Sequence, residues 1–396
     1  MPDTAEASIL VINTGSSSLK LGLYVQRDGE ETILYDGLAD GIGQGKGTMQ
    51  LRDGDGKVLR SEDHAAATQH EALTQAVQWL QALGQQQPIA IGHRVVHGGP
   101  HLTTHQRITP ELLEELKRCV HFAPLHIPMA IQLIEEAQKA FPGIAEFACF
   151  DTAFHTTIPE SAARFALPSE LFDEGIRRYG FHGLSYESIV YQLGQDLPKR
   201  TVIAHLGSGA SLAAVREGHS VDTSMGLTPT GGIPMATRTG DLDPGVLLFL
   251  LRTKHATADS LEEMLNKHSG LKALSGGKAD MRELEEAAQQ GDAKAELAIE
   301  IFCARIRETV AAYATVLGGL DLLAFTGGIG EHSVRVRRDV CAGLAFLGVA
   351  IDETANAAHA KKLSTEKSAI RVAIVPAEED RQIARHCRAL LPAAKS

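Results

Sequence analysis

Ile9-Leu10-Val11-Ile12 is a short apolar run that breaks into the polar turn Asn13-Thr14-Gly15-Ser16-Ser17-Ser18 and resumes over residues 19–24. A run of that length, rich in β-branched residues and bounded by Gly and Ser, predicts a strand, a tight polar turn and a second strand. The same plan returns half a chain later. Val202-Ile203-Ala204 leads into His205-Leu206-Gly207-Ser208-Gly209-Ala210-Ser211 and then the apolar residues 212–215. Two copies of one hairpin, each opening a half of the chain, predict a duplicated domain. A strand–Gly/Ser turn–strand unit also recurs by chance, so the pattern alone leaves both readings open.

Other segments alternate between helical and strand patterns. Thr109-Pro110-Glu111 is a helix start, with threonine as the cap and proline at the first helical position. Glu146-Phe147-Ala148-Cys149-Phe150 predicts a strand that delivers Asp151 at its carboxyl end. Phe302, Ile306, Val310, Tyr313 and Leu317 share one helical face, which Gly318-Gly319 terminates. Residues 322–325 predict a strand running into Thr326-Gly327-Gly328-Ile329-Gly330, and residues 371–375 the last strand, ending at Pro376-Ala377-Glu378-Glu379. The glycine-rich stretch 41–48 lacks phosphate-loop spacing and predicts a surface hairpin. Strands alternating with helices, with polar residues at strand ends, predict an α/β protein whose ligands gather at the carboxyl edges of its sheets.

Length and composition sharpen this. A chain of 396 residues exceeds one ordinary core, so two domains are expected. Hydrophobic residues at 44% and charged residues at 22% exclude a disordered chain. A formal net charge of -11 disfavours nucleic acid and anionic membranes as partners, and an acidic protein with anionic substrates must gather its cations locally. The five cysteines are scattered and never spaced C-x-x-C, so neither a disulfide framework nor a zinc site is predicted. No basic region precedes an apolar stretch at the N-terminus, and the longest apolar run, 246–251, is too short to span a bilayer. A cytoplasmic location is the expectation.

No Walker phosphate loop, H-E-x-x-H or G-x-S-x-G occurs, which removes support for P-loop transfer, zincin chemistry and the serine-hydrolase elbow. What remains is a set of small-residue turns able to aim backbone N–H groups at phosphates. Four dense segments stand out: Gly92-His93-Arg94-Val95-Val96-His97-Gly98-Gly99, Ala123-Pro124-Leu125-His126, Phe150-Asp151-Thr152-Ala153-Phe154-His155 and Arg178-Tyr179-Gly180-Phe181-His182-Gly183. With the 205–209 turn, Thr223-Ser224-Met225-Gly226-Leu227-Thr228-Pro229, Thr237-Arg238-Thr239-Gly240-Asp241, Phe325-Thr326-Gly327-Gly328-Ile329-Gly330-Glu331 and Glu378-Glu379, they span nearly the whole chain. In kind and order these blocks resemble the acetate and propionate kinase family, a relative of the sugar kinases, heat-shock chaperone ATPases and actin.

The resemblance implies two duplicated ribonuclease-H-like α/β domains, the actin-like ATPase fold, around a nucleotide cleft. The first would comprise residues 1–150 plus 382–396, and the second, 151–381, would bind nucleotide and carry a homodimer interface. It implies reversible, direct in-line transfer of the γ-phosphoryl group of ATP to acetate or propionate, giving ADP and an acyl phosphate. Arg94 would bind the substrate carboxylate, with Val95 and Val96 forming a partly apolar niche. Val96, Leu125, Phe181 and Pro229 would line the acyl pocket. Arg238 and His182 would contact the transferring phosphoryl group, with His126 as a secondary contact. An ion pair of Arg238 with Asp241 or Asp243, and a structural role for a lone histidine, are the plainer alternatives. Asp151 would orient the acid, hold Arg238 and help arrange the metal, since a carboxylate nucleophile is already ionised and needs no base.

By the same resemblance, Lys20, His205, Leu206, Gly207, Ser208 and Gly209 would meet the phosphates. Asp280, Met281 and Arg282 would meet the adenosine, as would Gly328, Ile329, Gly330, Glu331 and His332. Asn13 and Glu379 would hold Mg2+, for which Mn2+ could substitute. Glu378 and Asp380 are neighbours that could be confused with Glu379. The chain departs from the family at Ile127, Ser208, Ala210, Leu184, Tyr186, His332 and residues 230–233; Tyr186 stands where histidine is usual. None of these removes a charged catalytic residue. Two other readings stay open: a non-catalytic, nucleotide-gated member of the superfamily, and a kinase for longer or branched acids.

Overall fold

A computed structural model of the chain describes residues 7–14, 18–43, 45–63, 66–84, 87–124 and 126–392. Among these, the chain divides into two compact units, residues 1–153 with 378–396 and residues 154–377. Each is built on a mixed sheet.

The sheet of the first unit contains β1 (Ser8–Thr14), β2 (Ser18–Arg27), β3 (Glu30–Asp40), β4 (Thr48–Asp53), β5 (Val58–Glu62), β6 (Ala90–Val95), β7 (Gln106–Arg107) and β8 (Ala145–Phe150), in the order β5-β4-β3-β2-β1-β6-β8-β7. β1 pairs antiparallel with β2 and parallel with β6, and β6 pairs parallel with β8. The polar stretch after Ile12 joins β1 to β2, although Gly15, Ser16 and Ser17 of that turn lie outside the described residues. The glycine-rich 41–48 stretch connects β3 to β4 as a hairpin.

One face of this sheet buries Leu10, Ile12, Leu21, Leu73, Trp79, Ile91 and Leu133 in a continuous core with the helices Gln69–Ala82 and Ile127–Ala140. The other face receives the C-terminal helix Glu379–Leu390. Gly92 of β6 is what admits it, because a Cβ there would lie 2.5 Å from Ile383 Cγ2 and 2.6 Å from Cys387 Sγ. Side chains alternate along a strand, so Asn13 and Arg94 project to the side opposite Ile12 and Ile91. The start of the C-terminal helix lies over that side.

The second unit holds β9 (Arg200–Leu206), β10 (Ala210–Arg216), β11 (His219–Thr223), β12 (Leu322–Thr326) and β13 (Arg371–Ile374), in the order β11-β10-β9-β12-β13. β9 pairs antiparallel with β10 and parallel with β12, which pairs parallel with β13. This repeats β3-β2-β1-β6-β8 strand for strand, so the duplicated hairpins of the sequence each open a copy of one mixed-sheet topology. The expected helical face of Phe302, Ile306, Val310, Tyr313 and Leu317 is buried on the long helix Ala293–Leu317, which ends at Gly318 in the left-handed conformation, φ 74. Among the described residues no helix is long and apolar enough to cross a membrane.

Candidate active site

In the first unit, the ends of β1, β6 and β8 and the start of the C-terminal helix bring together Asn13, Arg94 and Asp151 beside the 379–380 acids. Arg94 lies one residue before the end of β6. Its Nε donates to both oxygens of Asp151, at 3.1 and 3.2 Å, and its Nη2 donates to Asp151 Oδ2 at 2.7 Å. Asp151 follows β8 directly, and its backbone N–H donates to the Val95 carbonyl, which fixes the carboxylate beside the guanidinium. Arg94 Nη1 donates to Asn13 Oδ1 at 3.3 Å, and Asn13 Nδ2 donates to Asp380 Oδ1 at 2.6 Å. Lys20, paired across β1 and β2 with Asn13, is exposed at the rim.

The electrostatics follow from this packing. Burial opposes the charge on Arg94, but Asp151 and Glu379 outweigh it and hold the guanidinium above its ordinary pKa. Asp380 is pushed up from the usual carboxylate range by burial, with the Asn13 hydrogen bond and Lys20 pulling the other way. Asn13 Oδ1 faces Arg94 and its amide nitrogen faces Asp380, with the Glu379 charge acting on Arg94; oxygen-bearing side chains of this kind are what a hard divalent cation takes, keeping water. The sequence points to Asn13 and Glu379. The structure adds Asp380, the acid bonded to Asn13. Glu378 turns instead to Arg381 at 2.8 Å.

The surroundings of Arg94 correct the expectation for Val95. Val95 is the next strand residue, so it points to the opposite face and is fully buried there. Val96 lies just past the strand and is half-buried. Asp151 and Asn13 hydrogen-bond the guanidinium. His126 caps the helix Ile127–Ala140 and is half-buried. Leu125 lies outside the described residues.

In the second unit, the β9–β10 turn carries Gly207, Ser208 and Gly209, closed by a Gly207 N–H to Gly209 carbonyl bond of 3.1 Å. His182 and Arg238 meet at this turn. A Cβ on Gly209 would lie 3.2 Å from His182 Nε2 and 3.6 Å from an Arg238 Nη atom, so glycine leaves room for both. Arg238 donates to the Pro229 carbonyl at 3.1 Å. The two acids considered as its partners have backbone work of their own: Asp241 accepts from Gly232 N–H at 2.7 Å, and Asp243 caps the helix Pro244–Thr253. His182 itself has a left-handed backbone, φ 59, at the start of the helix Gly183–Leu193. Its ring stacks on His205 with centroids 4.2 Å apart. Phe181 is fully buried and Pro229 is buried, both in this unit, whereas Val96 belongs to the first.

β12 runs beside β9, with Thr326 opposite His205, so the short helix Gly327–His332 starts next to the same turn. A Cβ on Gly327 would lie 2.8 Å from the Leu206 carbonyl, and Leu206 itself is fully buried. Glu331 Oε1 accepts from the N–H groups of Gly327 and Ala377, each at 3.0 Å, and so braces this helix. Arg337, which the sequence reading missed, is wholly buried. It donates to the carbonyls of Gly330 and Glu331 at 2.9 and 2.8 Å and to Asn356. A buried arginine that ties down two carbonyls after a Gly-Gly-Ile-Gly run is a brace for that loop; burial lowers its pKa. Gly328 and Ile329 follow Gly327 in this helix, and His332 closes it, exposed to solvent. Asp280 caps the helix Met281–Gln289 by accepting from Arg282 N–H at 2.8 Å, and it pairs with the exposed Arg282 guanidinium. Met281 is buried.

Residues 8–385 match the model of the acetokinase family. The chain is 44% identical to an acetate kinase of Methylocella silvestris, with 97% of this chain and 98% of that one aligned. It is also 44% identical to an acetate kinase of Pseudarthrobacter chlorophenolicus, over 95% and 97%. Among solved structures, a propionate kinase from Francisella tularensis superposes with a TM-score of 0.91 at 35% identity, covering 97% of this chain and all of that one. The acetate kinase of Porphyromonas gingivalis gives 0.86 at 35%, over 98% and 100%.

Proposed function

The chain belongs to the acetokinase family, and from that premise we propose that Arg94 is the carboxylate receptor of an acetate kinase. The enzyme is a phosphotransferase with a carboxyl acceptor: ATP and acetate are exchanged for ADP and acetyl phosphate. One observation carries the assignment of the acid site. A guanidinium has five N–H donors. Asp151 takes those on Nε and Nη2 and Asn13 takes one on Nη1, which leaves one N–H on each Nη. Two such donors on one planar end match the two oxygens of a small carboxylate.

The bond that forms joins a carboxylate oxygen to the γ-phosphorus; the bond that breaks joins that phosphorus to the β,γ-bridging oxygen, whose electron pair leaves with ADP. The nucleophile is already ionised, so catalysis consists of positioning and charge stabilisation rather than proton removal. Arg94, locked by Asp151, orients the acid. Arg238 and His182, gathered at the Gly209 turn, address the equatorial oxygens of the phosphoryl group, and the 207–209 amides cradle the phosphates. Lys20 and His126 are proposed as further phosphate contacts, and the starts of the helices at 281 and 327 as the nucleoside side.

Magnesium is the proposed metal, held by Asn13 and Glu379 with Asp380 behind Asn13; when bound it neutralises phosphate charge. A homodimer is the proposed assembly. The helix Pro244–Thr253 buries none of its residues, and Val246, Leu248, Phe249 and Leu251 are 39%, 48%, 56% and 41% exposed. A helix apolar all round is normally covered.

The test is to supply Mg-ATP with acetate, propionate or butyrate and trap acyl phosphate with hydroxylamine. Hydroxamate from acetate is expected, and the length series ranks the acids. No hydroxamate from any of the three rejects the reading.

A further inference from the structure

Behind His182 lies a chain of buried hydroxyls. His182 Nδ1 is 2.8 Å from Ser211 Oγ, and Ser211 Oγ is 2.5 Å from the Tyr186 hydroxyl. Tyr186 and Ser211 have no solvent exposure and His182 is 8% exposed. The three come from different parts of the fold. Tyr186 sits one turn into the helix that His182 begins, with its N–H donating to the His182 carbonyl at 3.1 Å, and Ser211 is on β10, just after the phosphate turn. The Tyr186 ring is wedged edge-on against His155, centroids 5.4 Å apart, so its hydroxyl has little freedom to leave the chain.

The hydrogens of this chain can run in two directions. In one, Tyr186 O–H donates to Ser211, Ser211 O–H donates to His182 Nδ1, and the imidazole carries its proton on Nε2. In the other, Nδ1–H donates to Ser211, and Nε2 is left as a lone pair. The two differ in what His182 presents at the Gly209 side, where Nε2 lies. Phosphoryl oxygens only accept hydrogen bonds, so a lone pair there would repel them and an N–H would bind them. The second ring nitrogen of a histidine is set by the partner of the first.

We infer that Tyr186 and Ser211 are positioning residues that hold neutral His182 in its Nε2–H form, so that it donates a hydrogen bond to the transferring phosphoryl group. This rests on the proposed contact of His182 with that group. A parallel arrangement supports the ring plane: Ser185 Oγ lies 2.8 Å from Nδ1 of His205, the imidazole stacked on His182. It also gives the chain's departure at position 186 a function. Tyrosine supplies a hydroxyl that can donate to Ser211.

The test needs no variant to begin. In the enzyme labelled with 15N-histidine, with His182→Gln used to assign its signals, the nitrogen shifts report which ring nitrogen carries the proton. Nε2–H is expected in the wild type, and Nδ1–H overturns the inference. Tyr186→Phe removes one oxygen and keeps the ring packed. It is expected to lower kcat about tenfold with KM for ATP and acetate within about twofold, and to mix the two tautomers. Ser211→Ala, which breaks the bond to His182 itself, is expected to lower kcat by about 10²-fold. A folded Tyr186→Phe enzyme with wild-type kcat and an unchanged tautomer overturns the role of Tyr186. If His182→Gln turns over at the wild-type rate, the phosphoryl contact fails and the inference with it. A slow His182→Gln beside a fast Ser211→Ala defeats the relay alone.

Discussion

Asn13 and Asp380, 367 residues apart in sequence, share a hydrogen bond of 2.6 Å that closes the first unit on itself. The amide donates to the acid on one side and accepts from Arg94 on the other, so its orientation is fixed from both ends. Asn13→Ala removes both bonds. The expected outcome is a rise of about tenfold or more in the Mg2+ concentration that half-saturates activity, the usual scale for loss of a metal-orienting group. A magnesium titration of the hydroxamate assay measures it. An unchanged half-saturation point would move the metal away from Asn13.

Arg94 serves two partners, and its variants should separate them. Asp151 is 1% exposed and accepts three hydrogen bonds from this guanidinium. Arg94→Ala should therefore destabilise the first unit by about 3–5 kcal/mol, the cost of removing one partner of a buried ion pair. Arg94→Lys keeps the charge and loses the planar end. It is expected to remain folded while KM for acetate rises at least about tenfold. Urea unfolding followed through Trp79, which is buried in this unit, reports the first effect and initial rates the second. A lysine variant with wild-type KM would mean the acid is held elsewhere.

Arg238 has a different profile. It donates to the Pro229 carbonyl and meets the phosphate turn from the side. Arg238→Ala should lower kcat by about 10²–10³-fold, as for a lost transition-state donor, with the unfolding transition unchanged. An equal loss of ATP affinity and rate would assign it to ground-state binding.

How much of this was legible in the sequence depends on range. The strand–turn–strand repeat, the delivery of Asp151 and the cap at Thr109 are local patterns, and each is present: Thr109 Oγ1 accepts from Leu112 N–H at 3.3 Å. The Asp380 bond to Asn13, the Asp151 grip on Arg94 and the Arg337 brace join residues through tertiary packing, and periodicity carries no trace of them. Arg337 could have been suspected as an arginine on the apolar side of the helix Val334–Ala342. Val95 drops out of the expected niche for a local reason, since adjacent residues in a strand face opposite ways.

The exposed helix Pro244–Thr253 makes a prediction about assembly. Phe249 is its most exposed large side chain, at 56%. If a second copy covers it, Phe249→Glu places a charge in an apolar contact and should yield monomers at concentrations where the wild type sediments as a dimer. Sedimentation velocity distinguishes the two. A wild-type monomer, or a glutamate variant that still dimerises, would locate the contact elsewhere or remove it.

His155 supplies the pH dependence. Burial drives its pKa down to about 4, against an ordinary 6.5, although the bond from its ring to the Phe181 carbonyl works in the opposite direction. The ring is clamped: Nδ1 lies 2.8 Å from Ser220 Oγ and Nε2 3.0 Å from the Phe181 carbonyl, and a Cβ on Gly180 would come within 2.6 Å of it. Between pH 6.5 and 4 the unfolded chain therefore binds a proton that the folded chain refuses. Stability must fall as the pH drops through that window and is complete above it, by about 2–3 kcal/mol for this one group at pH 4.5. His155→Gln has no proton to gain there. Its stability at pH 7.5 should be lower than wild type through imperfect bonding to Ser220 and Phe181, yet the drop from pH 7.5 to 4.5 should be smaller by that amount. Pulse-labelling of the β9 and β10 amides in urea at the two pH values reads the second unit directly. Equal drops in the two proteins would place the acid-sensitive group outside this histidine.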